Sequence, residues 1–231
     1  MKLHPQIVIF DVDGVLVDVR GSFHRSIVQT VKHFTGESVA LAEIHRWKSR
    51  PGYNDDWKLT TDWVCSLGRK VEYAEVKEQF ERFYWGANGD GNVRFERWLV
   101  PLGRLRRWAG RAELGLFTGR TWRELRNTLE TCKVDGIFER IVTTSDVARP
   151  KPDPEGLLRI LDGREPSVAL YLGDNIDDAL AAQRAGVSFV GVLPRGSEAR
   201  RHRAASLRKL GAKMVLGSAN ELEKYWAEER P

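Results

Sequence analysis

Cysteine occurs only twice in 231 residues, at Cys65 and Cys132, so neither a disulfide framework nor a cysteine-based zinc site is available to this chain. Both lie in stretches of helical pattern, where buried fillers are expected. Long hydrophobic runs are missing as well: apolar segments such as Ile7 to Phe10 fall far short of the roughly 20 residues that cross a bilayer. The first residues lack the apolar core and small-residue cleavage site of a secretory leader, and a cytoplasmic location is expected. Internal repeats and low-complexity tracts are absent. Charge of a single sign is lacking too, because 37 basic and 32 acidic residues are interspersed and leave a net charge of only +5. No nucleic-acid partner and no membrane partner is expected. What is present, 42% hydrophobic and 30% charged residues, suits one globular domain or one domain carrying a small insertion.

Gln6-Ile7-Val8-Ile9-Phe10 is a continuous, largely β-branched run ending in Asp11, which suits a strand buried on both faces of a parallel sheet. Similar runs recur at Leu114 to Phe117, Ile141 to Thr143, Val168 to Leu172 and Val187 to Val192, with helical stretches between them. That alternation predicts an α/β fold with a Rossmann-like doubly wound parallel sheet. Ligands in such sheets bind beyond the carboxyl ends of the strands. Asp11, Thr118 and Asp174, which follow three of the runs, therefore become candidates for chemistry.

The first two runs are separated by about a hundred residues, too many for a plain crossover. Between Ser22 and Gly86 the pattern is helical: Phe23, Ile27, Val31 and Phe34 recur at spacings of three or four, Trp57 to Leu67 follows, and Val76, Phe80, Phe83 and Tyr84 form another stripe. An inserted helical cap over residues 21–91 is expected, dividing the core domain into residues 1–20 and 92–231. Asn88-Gly89-Asp90-Gly91-Asn92 reads as a flexible return.

Asp11-Val12-Asp13-Gly14 places two carboxylates two positions apart where a strand leaves the sheet. They would repel unless a cation or proton lay between them; a simple aspartate-glycine turn is the alternative. Gly173-Asp174-Asn175-Ile176-Asp177-Asp178 opens a helix, and helix-terminal electrostatics explains any one of its aspartates but not all three. Hard oxygen donors without histidine or cysteine favour magnesium over zinc. Phe117-Thr118-Gly119-Arg120 offers a hydroxyl and a glycine amide just before a helix, where an anion can be held or where Thr118 or Thr121 caps the helix. In Arg149-Pro150-Lys151-Pro152-Asp153-Pro154, prolines flank a lysine and are expected to keep the backbone extended, limiting where its ammonium can point.

These four segments, in this order, resemble the motifs of the haloacid dehalogenase superfamily of phosphotransferases. With a helical insertion directly after the first, they are similar to the subgroup that includes phosphoglycolate phosphatases and β-phosphoglucomutases. The resemblance implies a phosphatase acting on a small phosphorylated metabolite, with Asp11 as nucleophile and Asp13 as general acid and base. It implies Mg2+ held by the Asp11 carboxylate, the Asp13 carbonyl and Asp174, with Asp178 acting directly or through water. Thr118, the Gly119 amide and Lys151 would hold the transferring oxygens. Asp177 is the runner-up for Asp178.

The presence of Asp13 argues against the branches that cleave carbon–halogen and carbon–phosphorus bonds. His24 lies one position beyond the histidine of the mutase branch, so phosphosugar mutase activity is the alternative, followed by a catalytically silent metabolite-binding module. In the cap, Lys48-Ser49-Arg50-Pro51-Gly52-Tyr53-Asn54 is a helix-breaking loop whose Lys48 and Arg50 are expected to touch the distal part of the substrate. Asp55 or Asp56 reads as a helix cap, and the tryptophans Trp47, Trp57, Trp63 and Trp85 as packing. The basic run Arg195 to Lys213 reads as a solvated helix with Ala204, Leu207 and Leu210 inward. Monomer or homodimer is expected.

Overall fold

The computed structural model describes residues 3–195 and 198–226. In chain order it contains β1 (Ile7–Phe10), β2 (Val17–Asp18), α1 (Phe23–Thr35), α2 (Leu41–Trp47), α3 (Asp56–Ser66), α4 (Tyr73–Trp85) and β3 (Arg97–Trp98). There follow α5 (Leu102–Ala109), β4 (Glu113–Phe117), α6 (Trp122–Cys132), β5 (Arg140–Val142), α7 (Glu155–Leu161) and β6 (Ala169–Gly173). The remainder is α8 (Ile176–Ala185), β7 (Ser188–Val192), α9 (Glu198–Lys209) and β8 (Met214–Leu216). The chain divides into two compact units, one of Met1–Val17 with Trp98–Pro231, the other of Asp18–Arg97.

The first unit is built on a six-stranded sheet of order β5-β4-β1-β6-β7-β8, with every pairing parallel. The apolar runs of the sequence form its strands because β1 and β6 are covered on both faces, and every residue of both is buried. On one face Ile7, Ile9, Phe117 and Tyr171 pack against Leu157, Ile160, Ala179 and Ala182 from α7 and α8. Elsewhere Phe10 stacks on Trp108 of α5, with ring centroids 5.8 Å apart and planes 9° from parallel. β8 has no counterpart among the apolar runs: Met214-Val215-Leu216 is a three-residue edge strand whose first two residues are only half-buried. An edge strand carries a weaker apolar signal than one covered on both faces.

β1 lies between β4 and β6, with Phe10 in register with both Leu116 and Leu172. The order reverses at β1, so the chain segments leaving β1, β4 and β6 emerge side by side about 5 Å apart. This places three of the four motifs together before any side chain is considered.

In the second unit, Phe23, Ile27 and Val31 of α1 are buried, as are Val76, Phe80 and Tyr84 of α4. Phe23 meets Phe80 and Tyr84 at centroid distances of 5.9 and 4.4 Å. Asp55 caps α3, its carboxylate accepting from the amides of Trp57 and Lys58. The return segment ends firmly: Asn92 is buried, and its Nδ2 donates to Ser26 Oγ at 3.0 Å and Gln29 Oε1 at 2.6 Å. Neither cysteine is a buried filler. Cys65 is exposed and Cys132 half-buried, because the inward stripe of α3 runs through Leu59, Thr60, Trp63 and Val64 and leaves Cys65 beside it.

Candidate active site

Asp11 directly follows β1, and its amide donates to the Leu172 carbonyl at 2.8 Å, joining the end of β1 to β6. The chain then turns, with the Leu16 and Val17 amides both reaching the Val12 carbonyl at 2.9 Å. Gly14 within this turn has φ 76°, and a Cβ there would lie 2.7 Å from the Asp174 carboxylate, so both backbone and space call for glycine. Asp13 is thereby carried beside Asp11 at the start of a tight turn, bridged to Val17.

Lys151 enters from the segment before α7, which is turned and not extended: the Asp153 amide bonds back to the Pro150 carbonyl at 3.0 Å. The turn buries the lysine fully and aims its Nζ at two carboxylates, Asp11 Oδ1 at 2.9 Å and Asp178 Oδ1 at 2.7 Å. Phe117 and Tyr171 flank the ammonium, their ring centroids 4.8 and 5.5 Å away. Asp178 accepts from four donors. Its Oδ1 takes Lys151 and the Tyr171 hydroxyl at 2.7 Å, and its Oδ2 takes the amides of Asp174 and Asn175 at 3.0 and 3.1 Å. Asn175 caps α8, its side chain accepting from the Asp178 amide at 3.0 Å. Thr118 directly follows β4, buried, with its amide on the Val142 carbonyl at 3.1 Å and its hydroxyl accepting from the Arg120 amide at 3.2 Å. Gly119 follows it.

The charge balance of this cluster is negative. Burial pushes the Asp11 carboxyl well above the usual carboxylate range; Lys151 opposes that rise, and Asp178, Asp13 and Asp174 add to it. Burial also works against the Lys151 ammonium, but Asp11 and Asp178 outweigh it and hold its pKa above the ordinary value. The Tyr171 hydroxyl is raised well above its usual range by burial and then by Asp178, so it stays protonated and donates. Asp11, Asp174 and Asp178 each offer a carboxylate oxygen within 4.8 Å of the others, a group of hard donors that could hold a metal ion. Asp177 is buried but is not among the three.

Residues 104–192 match the family model described as haloacid dehalogenase-like hydrolase. Pyrophosphatase PpaX of Bacillus velezensis is 26% identical over 187 residues, covering 80% of this chain and 82% of that protein. A crystal structure described as a predicted phosphoglycolate phosphatase from Haemophilus somnus superposes with a TM-score of 0.76 at 20% identity, covering 96% of this chain and 98% of that one. The likeness is to haloacid dehalogenase-like hydrolases. The sequence likeness to that pyrophosphatase takes in 80% of this chain. Another relative, the imidazoleglycerol-phosphate dehydratase of Phytophthora nicotianae, is 33% identical over 197 residues. That match takes in 81% of this chain but only 43% of the relative.

Three side chains at the hydrolase's site escaped the motif reading. Arg120, buried to 1% exposure, places Nε and Nη2 on Asp13 Oδ1 at 2.8 and 2.7 Å. Tyr171 lies inside the apolar run Val168 to Leu172, and its position three residues before Asp174 is the one signal the sequence offers. Arg203 of α9 reaches the Asp174 carbonyl at 2.9 Å and its Oδ2 at 3.1 Å. The basic run is therefore not a purely solvated helix, although Ala204 and Leu207 are buried as expected. Lys48 and Arg50 belong to the second unit. There the Lys48 ammonium is 2.8 Å from Asp56 Oδ1, and the Arg50 guanidinium lies 4.9 Å over the Trp47 ring. His24 is buried, its ring edge-on to His45 at 5.8 Å.

Proposed function

We propose that this hydrolase is a magnesium-dependent phosphatase acting on a small phosphate monoester through an aspartyl-phosphate on Asp11. The observation that carries the reading is Lys151 Nζ between Asp11 and Asp178 at the exit of the central strands, a buried cation standing where phosphoryl oxygens must be held beside a carboxylate nucleophile. An Asp11 carboxylate oxygen attacks phosphorus while Asp13 gives its proton to the departing alkoxide. Asp13 then takes a proton from the water that attacks the aspartyl-phosphate, releasing inorganic phosphate and restoring both carboxyl groups. Thr118 and the Gly119 amide, together with Lys151, bind the phosphoryl oxygens, where fixed donors are worth most.

The donor set fits magnesium: it is all oxygen and acidic, with three carboxylate oxygens within 4.8 Å of one another. Asp11, Asp174 and the Asp13 carbonyl would hold the ion, which supplies charge neutralisation of the phosphate. With its lone pairs taken up by four donors, Asp178 serves through Lys151 and through water. In the helical unit, taken as the cap that selects the substrate, Arg50 carries the distal contact, because Asp56 already holds Lys48.

The test is hydrolysis of p-nitrophenyl phosphate with and without Mg2+, then a panel of 2-phosphoglycolate, sugar phosphates, pyrophosphate and imidazoleglycerol phosphate. Magnesium-dependent turnover that disappears in Asp11→Asn is the expected result, with Arg50→Ala reordering the panel. No turnover of any ester, or full activity in Asp11→Asn, would overturn the reading.

A further inference from the structure

We propose that Arg120 is a positioning residue for Asp13, its guanidinium holding the carboxylate in the orientation from which a proton passes to and from the substrate oxygen. The inference rests on the reading of Asp13 as general acid and base, and goes beyond it by assigning what orients that group.

Arg120 follows β4 by three positions and is buried to 1% exposure, a place where a permanent positive charge needs a reason. Its fork is fully directed. Nε and Nη2 converge on Asp13 Oδ1 at 2.8 and 2.7 Å, while Nη1 donates at 2.5 Å to Thr128 Oγ1 in the middle of α6. The Thr128 hydroxyl in turn donates to the Glu124 carbonyl at 3.1 Å, so the anchor is itself held. The backbone of Arg120 is fixed at both ends of the residue: its amide lies on Thr118 Oγ1 at 3.2 Å, and its carbonyl accepts from the Thr144 amide at 3.1 Å. One residue therefore couples the acid–base carboxylate to the hydroxyl proposed to bind phosphate.

Stability does not explain the arrangement well, since buried ion pairs are often matched by apolar replacements of similar volume. Asp13 has the opposite need. It sits at the start of a turn with its side chain 22% exposed, where an aspartate without a partner visits several rotamers and binds water instead. A guanidinium presents a rigid planar set of donors that a lysine cannot reproduce. Because acid and base steps both require Asp13 within hydrogen-bond reach of the reacting oxygen, losing the fork should slow chemistry and leave substrate binding alone.

Four variants and two substrates test this: Arg120→Met, Thr128→Val, Asp13→Asn and Arg120→Met with Asp13→Asn, each assayed on p-nitrophenyl phosphate and on glycerol phosphate in single-turnover and steady-state experiments. Arg120→Met should lower kcat for the alkyl ester by about 10- to 100-fold with KM within about threefold, since general acid–base catalysis is worth about 10²–10⁴ and misorientation forfeits part of it. The first-turnover release of nitrophenolate, which departs without a proton, should change far less than first-turnover release of glycerol. A purely structural role would slow both alike. In the Asp13→Asn background the arginine substitution should add less than about threefold, because two groups acting as one unit are not additive. Thr128→Val should move the same quantities in the same direction by less, and it carries the test if Arg120→Met does not fold.

Losses that add in full in the double variant overturn the positioning role while the assignment of Asp13 stands. A rise in KM at constant kcat overturns it in favour of direct phosphate binding by Arg120. If Asp13→Asn by itself leaves alkyl ester turnover intact, the acid–base assignment fails, and the role of Arg120 falls with it.

Discussion

Replacing Glu124 with glutamine should make the protein more stable at pH 8 and no more stable at pH 4.5. Glu124 lies in the first turn of α6, 4% exposed, and its Oε2 accepts from the Thr121 amide at 2.7 Å and the Thr121 hydroxyl at 2.8 Å. Burial nevertheless dominates and raises its pKa from 4.5 to about 6, against the pull of the Thr121 donors and Arg120. Between those two values the folded protein holds this proton more tightly than the unfolded chain does. The contribution of the group to stability is therefore fully present below pH 4.5 and is lost as pH rises through about 6. By pH 8 the ionised carboxylate costs about 2 kcal/mol, at about 1.4 kcal/mol for each pH unit between the two values. Glutamine keeps an oxygen for the Thr121 donors and has no charge to bury. Its variant should melt about 4–8 °C higher at pH 8, for a chain of this size, and should show a flatter stability profile between pH 4.5 and 6. Thermal and urea unfolding at both pH values measure this. Equal or lower stability at pH 8 would refute the reasoning, and would mean that the carboxylate's interaction with the helix N-terminus and Arg120 outweighs its burial.

Tyr171→Phe removes the hydroxyl from Asp178 Oδ1 but leaves the ring against Phe117 and Phe189. It should cost about 1.5–3 kcal/mol of stability, the worth of a buried hydrogen bond to a charged group, and urea unfolding that shows no loss would remove Tyr171 from the account of how Lys151 is held. Asp174→Asn should weaken Mg2+ binding at least about tenfold by titration calorimetry, while Asp177→Asn changes it by less than about threefold, since only Asp174 belongs to the carboxylate group. Equal effects from the two variants would return both aspartates to helix-terminal electrostatics.

The parts of this protein legible in one dimension are those whose information is local. A buried parallel strand needs apolar residues on both faces, so β1, β4, β5, β6 and β7 stand out as short runs, and the helical insertion stands out through the spacing of Phe23, Ile27, Val31 and then Val76, Phe80, Tyr84. The chemistry directly after those runs is also legible, because Asp11, Asp13, Thr118, Lys151 and Asp174 sit at strand exits or between prolines, where turns and helix caps account for each residue singly but not for all five together. Location is not legible in this way. Only the order β5-β4-β1-β6-β7-β8 brings the exits of β1, β4 and β6 side by side, and strand order depends on how helices pack between strands far apart in the chain. Side-chain partners follow from that order. Arg120 meets Asp13 across 107 positions, Lys151 meets Asp11 across 140, and Arg203 reaches Asp174 across 29. No local pattern records such pairings, since each side chain's own neighbourhood is compatible with a solvated surface, and the partner that makes it functional arrives only when the sheet closes over it.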